Sequence, residues 1–286
     1  MPYHCIVCVK QVPDTAKITA DAMTPEGTVN RGALPAIFNP EDLYALEAAL
    51  DVKERFGGTV TVVSMGPPKA ATILRDCLYR GADRAILITD RAAAGSDTLA
   101  TGYILAKAIE TIGNYDLIFC GRQAIDGDTA QVGPQCAEKL GIPQVTYMEE
   151  LLTLEQGKVR IKRNHGNGWE VVECTLPALV SVISTPQNVR PWAARRMMRY
   201  KKAKIAAETA SPEEAESLKT KGLLIDQWTM NDIGADLDRC GLAGSPTKVF
   251  RIQAVVLTKA GYTCVEPTDE GIGSMVRELI ADRTLG

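Results

Sequence analysis

The segment with the most evident chemistry is a glycine-containing run, Gly121 to Pro134, which follows the apolar run Leu117 to Cys120 and leads into a helical pattern. Glycines let backbone N–H groups approach a ligand closely, and the N-terminus of a helix attracts phosphate oxygens. Thr129 and Gln131 can donate hydrogen bonds, whereas the nearby carboxylates suit a ribose hydroxyl or the loop itself better than a phosphate. Two interpretations therefore stand side by side, a nucleotide-binding loop and an ordinary Asp-Gly surface turn.

Three further segments carry residue types that suit a site but that local structure explains equally well. The run Asn39 to Asp42 is typical of an asparagine cap followed by the first turn of a helix. The run Ser64 to Pro68 is typical of a tight turn after a strand. The run Thr89 to Thr101 holds small residues before a helix, which either cap that helix or leave room for a flat ring. Thr98 and Thr101 lie three residues apart and so share one helix face.

The elements that position these segments alternate between strands and helices. Short β-branched runs alternate with patterns of helical spacing throughout the first half of the sequence. Strands are predicted to end near residue 9 and to span 59–64, 85–89 and 117–120, and helices are predicted over 40–56, 68–80, 97–110 and 128–140. This order predicts an α/β fold with a doubly wound, mostly parallel sheet and helices on both faces. Ligands bind outside the carboxyl ends of such strands, where all the segments above begin.

The second half of the chain has a different pattern. Residues 145–184 contain short strand-like runs with a turn at 165–168, which predicts hairpin strands that continue the same domain. A basic stretch follows Pro186, and the remaining sequence lacks a regular pattern of its own. We therefore expect an α/β domain over 1–205 and an extended C-terminal arm over 206–286 that needs a partner surface.

Composition excludes several classes of protein. The formal net charge of the 286 residues is −3, so no basic field points to a nucleic-acid partner. Two histidines are too few for a multi-histidine metal site, and no apolar stretch reaches the ~18 residues of a membrane-spanning helix. Cys5 and Cys8 fall in a predicted strand and should point to opposite faces, which favours buried packing over a metal or redox pair. Without a signal-peptide pattern, a cytoplasmic location is expected, with a processed mitochondrial protein as the alternative.

Several motifs together give the chain a family resemblance. In order, Val9 to Asp14, Asn39 to Asp42, Met65 to Pro68, Gly81 to Arg84 and Gly121 to Asp126 resemble the β subunit of electron-transferring flavoproteins. The resemblance runs from about residue 3 to 205 and weakens towards the C-terminus. It implies a heterodimer with a larger α subunit and a nucleotide pocket in this chain. In conventional members the pocket holds a structural AMP, while the redox FAD lies mainly in the α subunit.

The details are more similar to the electron-bifurcating branch of that family. The similarity lies at Thr89 to Arg91, at Gly95 to Thr101 and at Asp126 to Pro134. In this branch the pocket takes a whole FAD, and Thr98 and Thr101 match threonines beside its isoalloxazine ring. The resemblance implies that NADH supplies electrons to this FAD. One electron then passes to ferredoxin or flavodoxin, and the other passes through the α-subunit FAD to an acyl-CoA-type or other flavin dehydrogenase.

The resemblance thus implies a set of cofactor-binding residues but no catalytic acid or base and no metal ligand. The cofactor-binding residues are Cys8, Asn39, Pro40, Glu41, Asp42, Met65, Asp90, Thr98, Thr101, Gly121, Arg122, Gln123, Ala124, Ile125, Asp126, Gly127, Asp128, Thr129, Ala130, Gln131 and Val132. The alternatives are a conventional β subunit that binds AMP and an unrelated nucleotide-binding protein on a similar sheet. The sequence lacks a Walker lysine loop, which disfavours the last of these.

Overall fold

The computed structural model describes residues 2–14, 35–185, 188–247, 263–282 and 284. Most of its strands belong to a ten-stranded sheet, in the order β11-β12-β5-β4-β1-β6-β10-β7-β8-β9. The strands are β1 (Tyr3–Cys8), β2 (Gln11–Pro13), β3 (Ala36–Phe38), β4 (Gly58–Met65), β5 (Arg84–Ile88), β6 (Leu117–Gly121), β7 (Gln144–Glu155), β8 (Lys158–Asn164), β9 (Trp169–Thr175), β10 (Ala178–Val182), β11 (Lys204–Ile205) and β12 (Leu224–Trp228). The short strands β2 and β3 pair with each other outside the main sheet.

Helices cover both faces of this sheet. They are α1 (Pro40–Phe56), α2 (Ala71–Arg80), α3 (Thr98–Ile112), α4 (Val132–Leu140), α5 (Ala194–Tyr200), α6 (Pro212–Thr220) and α7 (Asp269–Ala281). The apolar residues of α1 and α2 pack in one buried cluster, and those of α3 and α4 pack in a second. Both clusters include residues of the central strands, so the sheet lies between two helical layers. The predicted doubly wound α/β class is confirmed.

The path of the chain places a crevice beside β1. From β1 the chain passes to β4 and then to β5 on one side, and α3 then crosses to β6 on the other side of β1. All these neighbouring strands are parallel, with Cys8 of β1 in register with Cys120 of β6. In open sheets of this kind, the reversal of strand order opens a crevice at the carboxyl ends of the two central strands.

The strand β1 also separates its two cysteines as expected. Cys5 belongs to the apolar cluster under α1 and α2, whereas Cys8 packs against the cluster under α3 and α4. Their side chains therefore lie on opposite faces of the sheet, in agreement with the strand period of two.

One predicted boundary is wrong in a way that matters for the site. The helix predicted from residue 128 begins only at Val132. Asp128 and Ala130 have φ angles of 51° and 53°, in the left-handed region that interrupts a right-handed helix. The segment from Arg122 to Gln131 is therefore a long loop whose backbone faces the crevice rather than the first turns of a helix.

The second half extends the sheet at both ends. The predicted hairpins are confirmed as the antiparallel strands β7, β8 and β9, and β10 returns to lie between β6 and β7. At the other end, β12 pairs in parallel with β5. The sheet thus continues beyond residue 205, and Ile225, Met230 and Ile233 are buried against the domain. The proposed domain boundary at that residue stays a prediction.

The last described helix behaves differently. No residue of α7 is buried by the described part of the chain, and its apolar side chains Ile272, Met275, Val276 and Ile280 are exposed. Within the described ranges, no helix has the length and apolar character needed to cross a membrane.

Candidate functional site

A cavity of about 340 Å³ lies at the carboxyl ends of β1 and β6, at the reversal of strand order. This volume is within the range of small-molecule sites, which begins near 300 Å³. Its wall combines the end of β1, the N-terminal turns of α3 and the loop from Arg122 to Gln131, with the start of α4 beyond that loop. The segments singled out from the sequence therefore meet at one place.

Asn39 holds the long loop in position from behind the cavity. Its side-chain amide donates to the carbonyl oxygen of Gln123 at 2.8 Å, and its side-chain oxygen accepts from the backbone N–H of Ile125 at 3.2 Å. The side chain makes no capping bond to α1, although Asn39 precedes that helix. Asn39 does occupy the predicted N-cap position of α1, but its side-chain hydrogen bonds are tertiary, so a capping role alone does not explain the residue.

Glu41, two residues further along the chain and in the first turn of α1, holds the same loop. It forms a two-point ion pair with Arg122, with distances of 2.6 and 3.2 Å, and it accepts from the backbone N–H of Gln123 at 3.1 Å. Bidentate pairs of this type fix geometry as well as charge. Arg122 is thereby bound to the protein itself, so it does not offer its charge freely to a phosphate.

Asp42 bridges the two central strands at the floor of the cavity. Its carboxylate accepts from the backbone N–H of Lys10 at 2.8 Å, just after β1, and from that of Gly121 at 3.2 Å, at the end of β6. A Cβ atom on Gly121 would lie 2.5 Å from the Asp42 carboxylate, so only glycine fits there. Burial raises the pKa of Asp42 from 3.8 to about 7, although the hydrogen bonds from Asn39, Lys10 and Gly121 oppose the shift.

The start of α4 is suited to a phosphate group. The first N–H groups of a helix lack intrahelical acceptors, and the preceding residue, Gln131, makes no side-chain capping bond. Val132 and Gly133 of this first turn line the cavity. A helix N-terminus open to a cavity attracts anions through its N–H groups and its dipole. These residues therefore fit the phosphate of an adenine nucleotide.

The loop is also held across the mouth of the cavity. Lys10 Nζ lies 2.6 Å from a carboxylate oxygen of Asp126, and the Gln123 side chain donates to Asp128 at 2.7 Å. Both aspartates are thus engaged by neighbouring side chains. These contacts agree with the first of the two expected roles, orientation of the loop, while a contact with a ribose hydroxyl stays a prediction.

The opposite wall is formed by the N-terminal turns of α3. Asp97 caps this helix by accepting from the backbone N–H of Ala100 at 3.0 Å, and Thr98 donates to the side-chain oxygen of Gln131 at 3.0 Å. Thr101 also lines the cavity, one turn further along. The bond between Thr98 and Gln131 joins the two walls, so the predicted ring-contact threonines and the predicted nucleotide loop belong to one cavity.

Three thiols complete the inner surface, those of Cys8, Cys120 and Cys136. Burial raises the pKa of all three well above the ordinary value, to about 12 for Cys136, and their mutual proximity adds to the shift at Cys8 and Cys120. They therefore stay protonated and uncharged at neutral pH. Within the described ranges, no group of three or more histidine, cysteine or acidic side chains is arranged to hold a metal ion.

Most of the predicted cofactor-binding residues line this cavity. Those in the wall are Cys8, Asp42, Met65, Thr98, Thr101, Gly121, Arg122, Gln123, Ala124, Asp126, Gly127, Asp128, Thr129, Ala130, Gln131 and Val132. Outside the wall formed by the described residues lie Asn39, Pro40, Glu41, Asp90 and Ile125. Asp90 instead accepts from the backbone N–H groups of Ala92 and Met230, at 2.9 and 3.1 Å. Direct contact of any of these residues with a cofactor stays a prediction.

The sequence interpretation missed some residues of the wall. They are Val9, Lys10, Ser96, Asp97, Leu105, Cys120, Gly133, Cys136 and Leu179. The strand-end rule points to Lys10 and Asp97, and helical spacing from Thr101 and Val132 points to Leu105 and Cys136. Leu179 enters from β10, and its sequence context gives no signal of this.

Comparison with known proteins identifies the family of the chain. A family model described as the electron transfer flavoprotein domain matches residues 26–213. Protein FixA of Bradyrhizobium diazoefficiens is 43% identical over 280 residues, covering 96% of this chain and 90% of that protein. The electron transfer flavoprotein subunit beta of Clostridium acetobutylicum is 40% identical over 276 residues, covering 96% of this chain and 97% of that protein.

A third relative is named as part of a larger assembly. The caffeyl-CoA reductase-Etf complex subunit CarD of Acetobacterium woodii is 40% identical over 276 residues, covering 96% of this chain and 97% of that protein. The family model and these relatives extend over both walls of the cavity. The chain therefore belongs to the electron transfer flavoprotein family, as a β subunit.

Proposed function

We propose that this chain is the flavin-binding small subunit of an electron-bifurcating flavoprotein. It binds FAD in the cavity beside β1 and receives electrons from NADH. One electron passes to ferredoxin or flavodoxin, and the other passes to the α-subunit FAD and then to a flavin dehydrogenase. The observation that supports the proposal is that Thr98 and Thr101 line the same cavity as the loop of residues 121–132.

Each wall of the cavity has a separate task in this proposal. The first turn of α4 binds the phosphates through its free N–H groups. Asn39 and Glu41 hold the loop from behind, so that the loop does not have to be ordered when the nucleotide binds. Thr98 and Thr101 offer hydroxyl groups to the ring. FAD, when bound, supplies the redox chemistry, and the protein supplies binding, orientation and electrostatics.

The partners follow from the relatives and from the exposed C-terminal helix. The CarD relative is named as a subunit of a reductase–Etf complex, which supports an acyl-CoA-type or related flavin enzyme as the partner. The exposed apolar side chains of α7 support its docking on the α subunit. All eight cysteines are free, which supports a reducing, cytoplasmic location.

A second function is favoured by the size of the cavity. A volume of about 340 Å³ lies near the lower end of the range for ligand sites and suits a mononucleotide. The alternative is therefore a conventional β subunit in which AMP is structural and only the α-subunit FAD is redox-active.

The cofactor content distinguishes these two functions. The chain is co-expressed with its α partner, the heterodimer is purified and denatured, and the released FAD and AMP are quantified. Two FAD and no AMP per heterodimer support the bifurcating function, and NADH-driven reduction of ferredoxin is then measured. One FAD and one AMP support the conventional function. A single FAD with no other nucleotide contradicts the assignment of the cavity.

A further inference from the structure

Asp42 is the buried carboxylate of the cavity wall that has no cation of its own. The residue is 6% exposed, and its carboxylate is stabilised by two backbone N–H groups and by the side-chain amide of Asn39. The two nearby cations are bound elsewhere, Lys10 to Asp126 and Arg122 to Glu41. Among the described residues, no lysine or arginine forms an ion pair with Asp42. Its negative charge is therefore stabilised by the side-chain amide of Asn39, by two backbone amides and by the more distant field of Lys10.

The other groups around Asp42 do not supply a compensating charge. The titratable or charged groups that line the cavity, or that interact with those lining it, are Cys8, Lys10, Glu41, Cys77, Asp97, Cys120, Arg122, Asp126, Asp128 and Cys136. Burial raises the pKa of the thiols of Cys8, Cys77, Cys120 and Cys136, so these remain neutral. The rest are acids or paired cations. A negative ligand in this cavity therefore meets a wall with little free positive charge.

We propose that Asp42 takes up a proton when the cavity binds an anionic adenine nucleotide, so that nucleotide binding and protonation of this carboxyl group are linked. The inference rests on the proposed nucleotide-binding function. A bound phosphate adds a like charge beside the carboxylate and favours its protonated form. By reciprocity, protonation of Asp42 strengthens nucleotide binding to the same extent. Asp42 is thus a positioning residue that joins β1 to β6 and also adjusts the charge of the cavity to its ligand.

The sign of the pH dependence follows from this linkage. Burial raises the pKa of the free carboxyl group to about 7, and the bound phosphate raises it further. Nucleotide affinity therefore decreases as the pH rises from about 7 through the pKa of the bound state, by at most about tenfold per pH unit. The proton uptake is greatest within this window and approaches about one proton per nucleotide if the two pKa values are well separated.

Isothermal titration of the heterodimer tests the linkage. The heterodimer is freed of pocket nucleotide and titrated with AMP at several values between pH 7 and 8, in two buffers that differ in ionisation enthalpy. A phosphate monoester has its second pKa near 6, so AMP itself is almost fully ionised in this range. FAD is titrated in a second series. Comparison of the AMP series with the FAD series shows which of these nucleotides binds with proton uptake.

The variant Asp42→Asn isolates the contribution of the carboxyl group. Asn keeps the size of the side chain but does not titrate. We expect proton uptake by the native heterodimer that is lost in Asp42→Asn, together with a several-fold decrease in native affinity from pH 7 to 8 that is also lost. Asp116→Asn is the matched control. Asp116 accepts from the backbone N–H of His4 at 2.7 Å, at the opposite end of β1 and β6, and its replacement should leave the proton uptake unchanged.

The possible failures are distinguishable. Binding of AMP or FAD to the native heterodimer without proton uptake overturns the inference but leaves the proposed function intact, and so does unchanged uptake in Asp42→Asn. Absence of any nucleotide binding overturns the cavity assignment and the linkage with it. If Asp42→Asn does not fold, infrared spectroscopy of the native heterodimer decides. The carbonyl band of a buried protonated carboxyl group should grow on nucleotide addition at pH 7.5, and an unchanged band contradicts the linkage.

Discussion

Asn39 and Gln123 are joined by a hydrogen bond of 2.8 Å from the side chain of the first to the backbone of the second. This bond ties the residue before α1 to the loop after β6. Asn39 is fully buried and also accepts from Ile125, so one side chain satisfies two backbone groups of the loop. The shape of the cavity therefore depends on a residue that lies outside its wall.

The first prediction concerns this side chain. Asn39→Ala leaves two partly buried backbone groups without these partners, which should lower the free energy of unfolding by about 2 kcal/mol. It should also weaken nucleotide binding because the loop must then be ordered on binding. Urea denaturation and nucleotide titration measure the two effects. Asn39→Asp keeps the acceptor for Ile125 but places a carboxylate oxygen against the carbonyl oxygen of Gln123 in a fully buried position, so it should be at least as destabilising. An Asn39→Asp variant as stable as the native chain would contradict the contribution of the bond to Gln123.

The second prediction concerns the glycine at the end of β6. A Cβ atom at position 121 would lie 2.8 and 2.9 Å from backbone atoms of Glu41 and Asp42, in addition to its contact with the carboxylate. Gly121→Ala should therefore push α1 away from β6 and destabilise the fold by about 2 kcal/mol or more. Gly127→Ala is the control for stability, since a Cβ atom there meets no other atom within 4 Å. Similar unfolding midpoints for Gly121→Ala and Gly127→Ala would show that α1 can move away from β6 without loss of stability.

The sequence was sufficient for those parts of the fold that depend on local patterns. The bounds of α1 agree with the prediction because a proline, two acidic residues and a terminal glycine mark its ends. The predicted start of α4 at residue 128 was wrong. Asp128 and Ala130 adopt left-handed backbone conformations, which helix propensities do not anticipate. The roles of Asn39 and Glu41 were also not predictable from local signals. Their partners follow β6, and only the folded sheet brings them together.

A third prediction concerns the dependence of stability on pH. The pKa of Asp42 is about 7 in the folded chain, compared with the ordinary value of 3.8 for an exposed aspartate. The folded state therefore binds this proton more tightly than the unfolded state does. The stabilisation that the proton gives to the folded state is complete at low pH and is lost as the pH rises through about 7. Between pH 5 and 7, the free energy of unfolding should decrease by about 2 kcal/mol relative to that of Asp42→Asn. Chemical denaturation at several pH values measures this difference. Parallel pH profiles would show that the carboxyl group titrates normally.

The threonines of α3 give a fourth prediction. Replacing Thr98 and Thr101 with valine preserves their shape but removes both hydroxyl groups and the bond to Gln131. If FAD occupies the cavity, the absorption spectrum or occupancy of one flavin should change while the α-subunit flavin stays the same. Spectra and NADH reduction are compared with those of the native heterodimer. An unchanged spectrum in a heterodimer that holds two FAD would contradict the ring contact.

The exposed apolar face of α7 gives a fifth prediction. Ile272, Val276 and Ile280 lie on one face of this helix, whereas Ser274 lies on the opposite face. Replacing Ile272 and Val276 with glutamate should weaken association with the α subunit at least tenfold, because two apolar contacts are lost and two charges would be buried. Binding of the purified subunits measures the change. Ser274→Glu introduces the same residue on the other face and should have little effect. If Ser274→Glu weakens association as much as the double variant, the docking face has been assigned to the wrong side of the helix.

The pairing of β12 with β5 also has a consequence for the synthesis of the chain. A ribosome delivers residues 84–88 long before residues 224–228, so during translation the outer edge of β5 has no neighbouring strand. An apolar strand with an open edge can pair with strands of other chains and so lead to aggregation. A truncation at residue 205, designed to remove the arm, would make that temporary exposure permanent. Any shortened form of the chain should therefore keep β12 and end beyond Cys240, which is buried against the domain.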